Sequence, residues 1–375
     1  MIDRFAFAGV VKVVHRILYN SRLSCKGPSN YFFWTFCGIL RCKMSTFAIA
    51  ALTLVGAASA QVTLTGTLSF SQQSSLDRTR GIAASDNSIF LGDTEDLGGG
   101  VKLVMSTGFD AGGRGATGGG NFGGENTSLA VSGGFGKVTL TQFESDGPFA
   151  NIDALSGASL PVGVFDSAAI TGGKRFRNGL LYSSPSFGGA TLGLSYVTLA
   201  GTFAPENALD AKTKVTPNIT YVAGPLKAYF EYSLFNASYN NNADDTVTQP
   251  TAYVTYDFGV AKVGFGYSKP SNADGQLAFG VNAPIGALTV GYAYFSANGN
   301  GNGVSGLPGK TNTFGTATYS EASVAYDLSK RTSIKASFGV VNDAFNSLAV
   351  ANATYGLAGG FTTTTQSRVG LFHSF

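Results

Sequence analysis

From Gln61 to the end of the chain, apolar and polar residues alternate with a period of two, which is the period of a β-strand. In the first such segment, Leu64, Leu68 and Phe70 share one face, and serine and threonine fill the other. The alternation recurs in segments of about ten residues that are separated by turn residues. No run of about 20 uncharged apolar residues follows residue 60. The sequence therefore predicts an all-β protein and excludes a bundle of membrane-spanning helices.

The polar faces of these segments carry few charges. Charged residues make up 13% of the chain, against about 25% in soluble domains. A β-sandwich buries its apolar faces and turns a charge-rich face to water, whereas a transmembrane barrel turns its apolar face to lipid and its polar face to a lumen. Serine, threonine and glycine dominate the polar faces here, so the pattern favours a transmembrane β-barrel over a sandwich.

We predict sixteen antiparallel strands, an even number that lets the last strand pair with the first and leaves no sheet edge. The predicted strands are 62–72, 87–95, 100–110, 126–132, 136–143, 175–184, 189–199, 214–223, 225–236, 249–257, 260–269, 275–283, 287–296, 315–327, 332–341 and 363–375. Short and long connections alternate between them. This alternation is typical of barrels with short periplasmic turns and long external loops.

The N-terminal region has a different composition. Residues 44–60 form an uncharged apolar run ending in small residues, which is typical of a secretory signal peptide cleaved before Gln61. We interpret residues 1–43 as an extension from a start codon assigned too early, with Met44 as the true start. The alternatives are one long signal sequence or an anchor helix around residues 31–55. The predicted barrel domain is 61–375.

Removing the first 60 residues changes which functions the composition allows. The remaining chain has 18 basic and 21 acidic residues, so the net charge changes from +3 to −3 and does not suggest nucleic-acid binding. All three cysteines lie in residues 1–43, so the barrel domain offers no thiol for catalysis, metal binding or disulfides. We expect no cofactor, no metal and no catalytic site.

Four stretches resemble the trimeric general diffusion porins of Gram-negative outer membranes, in the branch common among β-proteobacteria. They are Thr94–Gly100, Asn178–Pro185, Tyr326–Thr332 and Val369–Phe375, and they follow the family's order along the chain. There are two departures. The family usually has arginine on the second strand, where this chain reads Ser88–Leu91, and often has arginine just before the final histidine, where this chain has Phe372.

The resemblance implies a water-filled outer-membrane channel for passive diffusion of ions and small hydrophilic solutes, assembled as a homotrimer in the lipid bilayer. It also implies that the third external loop folds into the barrel and that the barrel assembly machinery recognises the terminal aromatic residue, here Phe375. An outer-membrane adhesin or receptor that acts through its external loops is the alternative function. An outer-membrane hydrolase is disfavoured, because the barrel domain's single histidine, His373, falls on the lipid face.

Candidate selectivity residues lie on the third long connection, 144–174, and on the strands. A solvated surface loop is the alternative interpretation of this connection. The connection carries the acids Glu144, Asp146, Asp153 and Asp166. By alternation, the wall bases are Lys102, Lys137, Arg175, Arg177, Lys227, Lys262, Lys335 and Arg368, and the wall acids are Asp110, Glu231 and Glu321. Eight bases against seven acids do not imply strong selectivity. Opposed charges across a narrow pore would favour polar solutes over apolar ones.

Overall fold

The computed structural model describes residues 62–74, 79–84, 87–110, 123–144, 149–156, 176–199, 212–235, 247–271, 275–301, 312–342 and 364–375. All of these residues belong to one compact unit, Ala57–Phe375. The predicted extension and signal peptide lie outside the described residues.

The described residues form seventeen strand segments and two very short helices. The strands are β1 (Thr63–Ser74), β2 (Thr79–Ala84), β3 (Ser88–Gly98), β4 (Val101–Asp110), β5 (Gly123–Gly133), β6 (Gly136–Glu144), β7 (Phe176–Ser183), β8 (Ala190–Leu199), β9 (Lys212–Ala223), β10 (Leu226–Phe235), β11 (Val247–Asp257), β12 (Lys262–Ser268), β13 (Gln276–Ile285), β14 (Leu288–Gly301), β15 (Asn312–Asp327), β16 (Thr332–Val341) and β17 (Thr365–Ser374). The helices, α1 (Ala150–Asp153) and the 3-10 turn Ala154–Ser156, lie between β6 and β7. Neither has the length or apolar content needed to cross a membrane.

All seventeen segments form one antiparallel sheet, which closes where β17 pairs with β1. The first half of β1 pairs with β3 and its second half with β2. The segments β2 and β3 are therefore two parts of one barrel strand, and the closed barrel has sixteen strands, as predicted. Asn87 lies at the break between them. It is buried, and its Oδ1 accepts a hydrogen bond from the Ser69 backbone N–H at 2.5 Å, replacing a backbone acceptor missing at the break.

The segment Thr79–Ala84 is one place where the predicted strands were wrong. The alternation pattern predicts a connection here, but the segment pairs with the second half of β1. The segment has only one large apolar residue, Ile82, and it contains Arg80 and Gly81, so it shows no apolar alternation. Its pairing with β1, rather than an apolar face, makes it a strand.

Exposure alternates along the strands as the sequence pattern predicts. On β11, Thr251, Tyr253 and Thr255 are buried, whereas Ala252 and Val254 between them are exposed. Elsewhere in the described strands the exposed face is likewise rich in large apolar residues and the buried face in polar ones, the reverse of a soluble protein. The polar side chains therefore face the barrel interior, and the apolar side chains face outward, where lipid lies.

Seven short connections join neighbouring strands at one end of the barrel, which we call the short-turn end. Gly136 shows why glycine is needed there: its φ is 103°, and a Cβ at this position would lie 2.2 Å from the Ser183 carbonyl oxygen. No other residue fits this approach. The connections at the opposite end are the long ones, and most of their residues lie outside the described ranges.

Candidate functional site in the barrel interior

The described part of the third long connection, Phe149–Ser156, lies against the inward faces of β12 and β13. Phe149, Ile152 and Leu155 have exposed fractions of 5%, 0% and 5%. Their side chains contact glycines on the barrel wall, among them Gly264 and Gly280. This segment of the connection therefore packs inside the barrel, against the wall.

The charged residues predicted for this connection fall mostly outside the described part of the chain. Asp146, Asp166 and Arg175 lie outside it altogether. Three others have a described backbone only. Glu144 ends β6 and pairs with Phe176, Asp153 ends α1, and Arg177 pairs with Phe143 on β6. Their side chains lie outside the description, so the opposition of these charges remains a prediction.

Two predicted wall bases, Lys102 and Lys137, lie close to the short-turn end. Both are exposed, and both are register partners of Ser132, from the two neighbouring strands β4 and β6. Asp96 pairs with Lys102 from the other side. Because β4 begins at Val101, this row of Asp96, Lys102, Ser132 and Lys137 borders the short-turn mouth and lies far along the wall from the long connections.

Arg368 on β17 is buried, with an exposed fraction of 5%. Its Nε donates a hydrogen bond to Ser71 Oγ across the closing seam at 3.2 Å. Its guanidinium carbon lies 4.8 Å from the centre of the Phe372 ring, and Lys335 Nζ lies 5.0 Å from the same ring. These distances allow cation–π contacts. Phe372, one of the departures from the family pattern, therefore brings two wall bases together around an aromatic ring.

A second cluster lies on β10 and β11 beside the third connection. The Tyr229 hydroxyl donates to Glu231 Oε2 at 2.7 Å, and the Tyr229 and Tyr253 rings stack with centres 4.9 Å apart. Lys227 Nζ lies 5.7 Å from the Tyr253 ring centre and donates to Asn151 Oδ1 of α1 at 3.4 Å. The alternation pattern predicts Lys227 and Glu231 as wall residues. The two tyrosines are not among the predicted wall residues, although they share the parity of the inward residues.

The predicted wall acid Glu321 is buried, with an exposed fraction of 1%. The Tyr319 hydroxyl donates to Glu321 Oε2 at 2.5 Å and accepts a hydrogen bond from Gln366 Nε2 at 3.1 Å. The Tyr319 ring also stacks on Phe295, with centres 6.1 Å apart. This carboxylate thus belongs to a packed polar cluster that spans β15 and β17.

Phe375 completes the closing seam. Its backbone N–H donates to the Gly66 carbonyl at 3.1 Å, and its carbonyl accepts from the Gly66 N–H at 3.1 Å. Its ring covers Gly66, where a Cβ would lie 2.6 Å from Phe375 Cζ. His373 is exposed, and its Nδ1 lies 2.9 Å from Thr332 Oγ1. On the described residues, no three histidine, cysteine or acidic side chains come together as metal ligands.

Comparison with known proteins points to one family. A sequence model described as Gram-negative porin matches residues 45–346. The chain is also similar to an outer membrane porin protein of Bordetella pertussis (strain Tohama I). The two are 27% identical over 288 residues, which cover 65% of this chain and 73% of that protein.

Solved structures show the same fold. An anion-selective porin from Comamonas acidovorans matches 84% of this chain and 100% of its own, with a TM-score of 0.57 and 21% identity. A loop-deletion variant of OmpT from Vibrio cholerae matches 85% of this chain and 100% of its own, with a TM-score of 0.56 and 14% identity. A mutant of Rh. blastica porin matches 84% of this chain and 100% of its own, with a TM-score of 0.56 and 17% identity. These likenesses show a shared closed barrel architecture.

Proposed function

Since the chain belongs to the Gram-negative porin family and forms an outer-membrane channel for passive diffusion, we propose that its third external loop narrows the channel with charged side chains. In this proposal the loop acids Glu144, Asp146, Asp153 and Asp166 face the wall bases Arg175 and Arg177. The observation that carries the proposal is the position of Phe149–Ser156 against the inward wall. Glu144 and Asp146 precede this segment in the sequence, Asp153 lies within it, and Asp166 follows it.

Opposed charges across a narrow gap favour ions and polar solutes. Such a field orients dipolar solutes and makes the passage of apolar molecules unfavourable, because apolar molecules cannot replace the hydration of the charged walls. The wall outside the constriction also carries both signs, with Lys102 paired to Asp96 and with Lys227 and Glu231 on the same inward face of β10. We therefore propose ions and small hydrophilic solutes as the permeating species, with weak rather than strong charge selectivity. A channel of this kind has no catalytic role.

We also propose that the barrel assembles as a homotrimer. Tyrosine and tryptophan are enriched where lipid-facing surfaces meet the membrane–water interface. On the described outward faces, tyrosines occur only on strands from β7 to β15: Tyr182, Tyr196, Tyr221, Tyr232, Tyr256, Tyr267, Tyr292, Tyr294 and Tyr326. The adjoining sector from β16 through β17 and β1 to β6 has none, and β3 there places Asp93 and Glu95 on the face of outward Met105 and Leu103. Contact with another copy would remove these carboxylates from lipid.

Two further proposals concern biogenesis. The first is cleavage of a signal peptide after Ala60, which the apolar run 44–60 and its small-residue end support. The second is recognition of Phe375 by the barrel assembly machinery, for which the position of this residue on the closing seam gives a physical reason. If the seam is the last part of the barrel to form, recognition of Phe375 acts on the residue that completes closure.

Planar-bilayer recording of the purified mature protein tests the channel and the trimer together. We expect ohmic conductance that closes in three equal steps. Conductance that closes in a single step would contradict the trimer while leaving the channel in place. The absence of conductance from protein that is folded, judged by a heat-sensitive shift in gel mobility, would contradict the channel itself.

A further inference from the structure

Three glycines on the barrel wall create wells beneath the third connection. Gly264 and Gly266 on β12 alternate with exposed Phe265 and Tyr267, so both glycines face inward. Gly280 on β13 is the register partner of Gly264 and therefore lies beside it on the same inward face. Glycine in a strand weakens the strand and often marks a place where another part of the chain approaches closely. We call these three positions the glycine wells.

Each well is occupied by a residue of the connection. An ideal Cβ at Gly264 would lie 2.7 Å from both Ile152 Cδ1 and Leu155 Cδ1, and one at Gly266 would lie 2.7 Å from the Phe149 ring. A Cβ at Gly280 would lie 2.6 Å from the Ile152 carbonyl oxygen. These separations are shorter than non-bonded atoms tolerate, so a methyl group at any of the three positions would force the segment or its side chains to shift. The wells therefore fit this segment only because they lack side chains.

The three occupants share one face of the segment. Phe149, Ile152 and Leu155 are spaced three residues apart, and α1 followed by a 3-10 turn brings residues at this spacing onto one side. All three are buried, although the surrounding interior wall is largely polar. On another side of the segment, Asn151 is exposed and accepts a hydrogen bond from Lys227 on β10. The segment thus has an apolar side against β12 and β13 and a polar attachment to β10.

We propose that the glycine wells and their three apolar occupants form a latch that sets how far the third loop extends across the channel. The latch residues are positioning residues: they contact the wall and hold the loop, and the charged residues act on the solute. This inference rests on the proposed function, because the position of the loop affects permeation only if the loop narrows the channel. The inference names the residues that fix how wide the channel is at the third loop.

The test adds a methyl group to one well and then removes the atoms that this methyl group meets. In Gly264→Ala, the new methyl pushes the segment from the wall into the channel, so single-channel conductance falls. The rescue variant combines Gly264→Ala with Ile152→Val and Leu155→Val, which removes both Cδ1 atoms, and we expect its conductance to return to the parental value. The matched control is Gly92→Ala on β3. Its Cβ would meet the Thr63 hydroxyl at 3.0 Å and no atom of Phe149–Ser156, so parental conductance is expected.

A second variant changes only the loop, so it leaves the barrel wall intact. Ile152→Ala with Leu155→Ala empties the wells and loosens the segment. We expect vesicles containing this variant to admit larger sugars than parental vesicles in a swelling assay, and bilayer traces to show more frequent closures.

The outcomes separate the latch from the proposed function. Parental conductance in folded Gly264→Ala, or failure of the rescue variant to restore it, overturns the latch. If Gly264→Ala does not fold, an unchanged sugar cut-off in the loop variant overturns the latch instead. A parent protein that folds but does not conduct overturns the proposed function.

Discussion

Replacing Tyr319 with phenylalanine removes the hydroxyl that links Glu321 to Gln366 and keeps the ring that stacks on Phe295. A hydrogen bond to a charged group contributes about 1.5–3 kcal/mol, and leaving a buried polar group without a partner costs about 1–3 kcal/mol. Gln366 Oε1 has no hydrogen-bond partner among the described residues, and the substitution also removes the hydroxyl to which Gln366 Nε2 donates. Tyr319→Phe removes a hydrogen bond to the Glu321 carboxylate and leaves the Gln366 amide without its acceptor, and both side chains are at most 2% exposed. We therefore expect the substitution to lower the free energy of unfolding by about 3 kcal/mol.

Urea unfolding of the protein folded into lipid vesicles measures this loss. The only tryptophan, Trp34, precedes the barrel domain, so the folded fraction is followed by heat-sensitive gel mobility rather than by tryptophan fluorescence. Tyr326→Phe on the same strand is the matched control, because Tyr326 is 49% exposed on the outward face. The control is expected to stay within about 0.5 kcal/mol of the parent. If Tyr319→Phe does so too, the cluster does not stabilise the barrel and the reasoning is wrong.

Three further predictions concern the seam, the interior wall and maturation. Deleting Phe375 removes both backbone hydrogen bonds to Gly66, so less folded barrel should reach the membrane and precursor should accumulate in the periplasm; an unchanged yield of heat-modifiable protein would refute this. Phe372→Leu removes the ring that Arg368 and Lys335 face, so unfolding free energy should fall by about 1 kcal/mol in the urea assay, and no change would argue against the cation–π contacts. Mass spectrometry of the outer-membrane protein should find an N-terminus at Gln61, and any peptide from residues 1–43 would contradict this.

The sequence was sufficient to predict the barrel because the period-two pattern indicates both where the strands lie and which residues face inward or outward. The inward face of β10 follows directly from the exposed Phe230, Tyr232 and Leu234 that alternate with it. Local alternation does not identify a strand segment with few apolar residues, so it predicts a connection at Thr79–Ala84. That segment is a strand because of its partner, and a partner strand is not visible in a local pattern.

The interior site was less predictable because its contacts depend on how the barrel closes. Alternation placed Arg368 on the inward face, but its contact with Ser71 depends on the register between the first and last strands. The apolar residues of the third connection are not among the predicted site residues. A signal for them was present in the regular spacing of Phe149, Ile152 and Leu155, but their destination depends on glycines more than 100 residues later in the chain.

The zero-current potential in a tenfold salt gradient tests the charged constriction most directly. We compare the parent with the double variant Arg175→Ala, Arg177→Ala. Arginine stays charged at any working pH, and two arginines facing lipid at mid-depth would each cost about 2–4 kcal/mol, so both are expected to face the channel. Removing them should shift the potential toward cation selectivity, and the shift should shrink at high salt because of screening. A double variant whose potential equals that of the parent at low ionic strength would contradict the account, because these arginines would then not line the constriction.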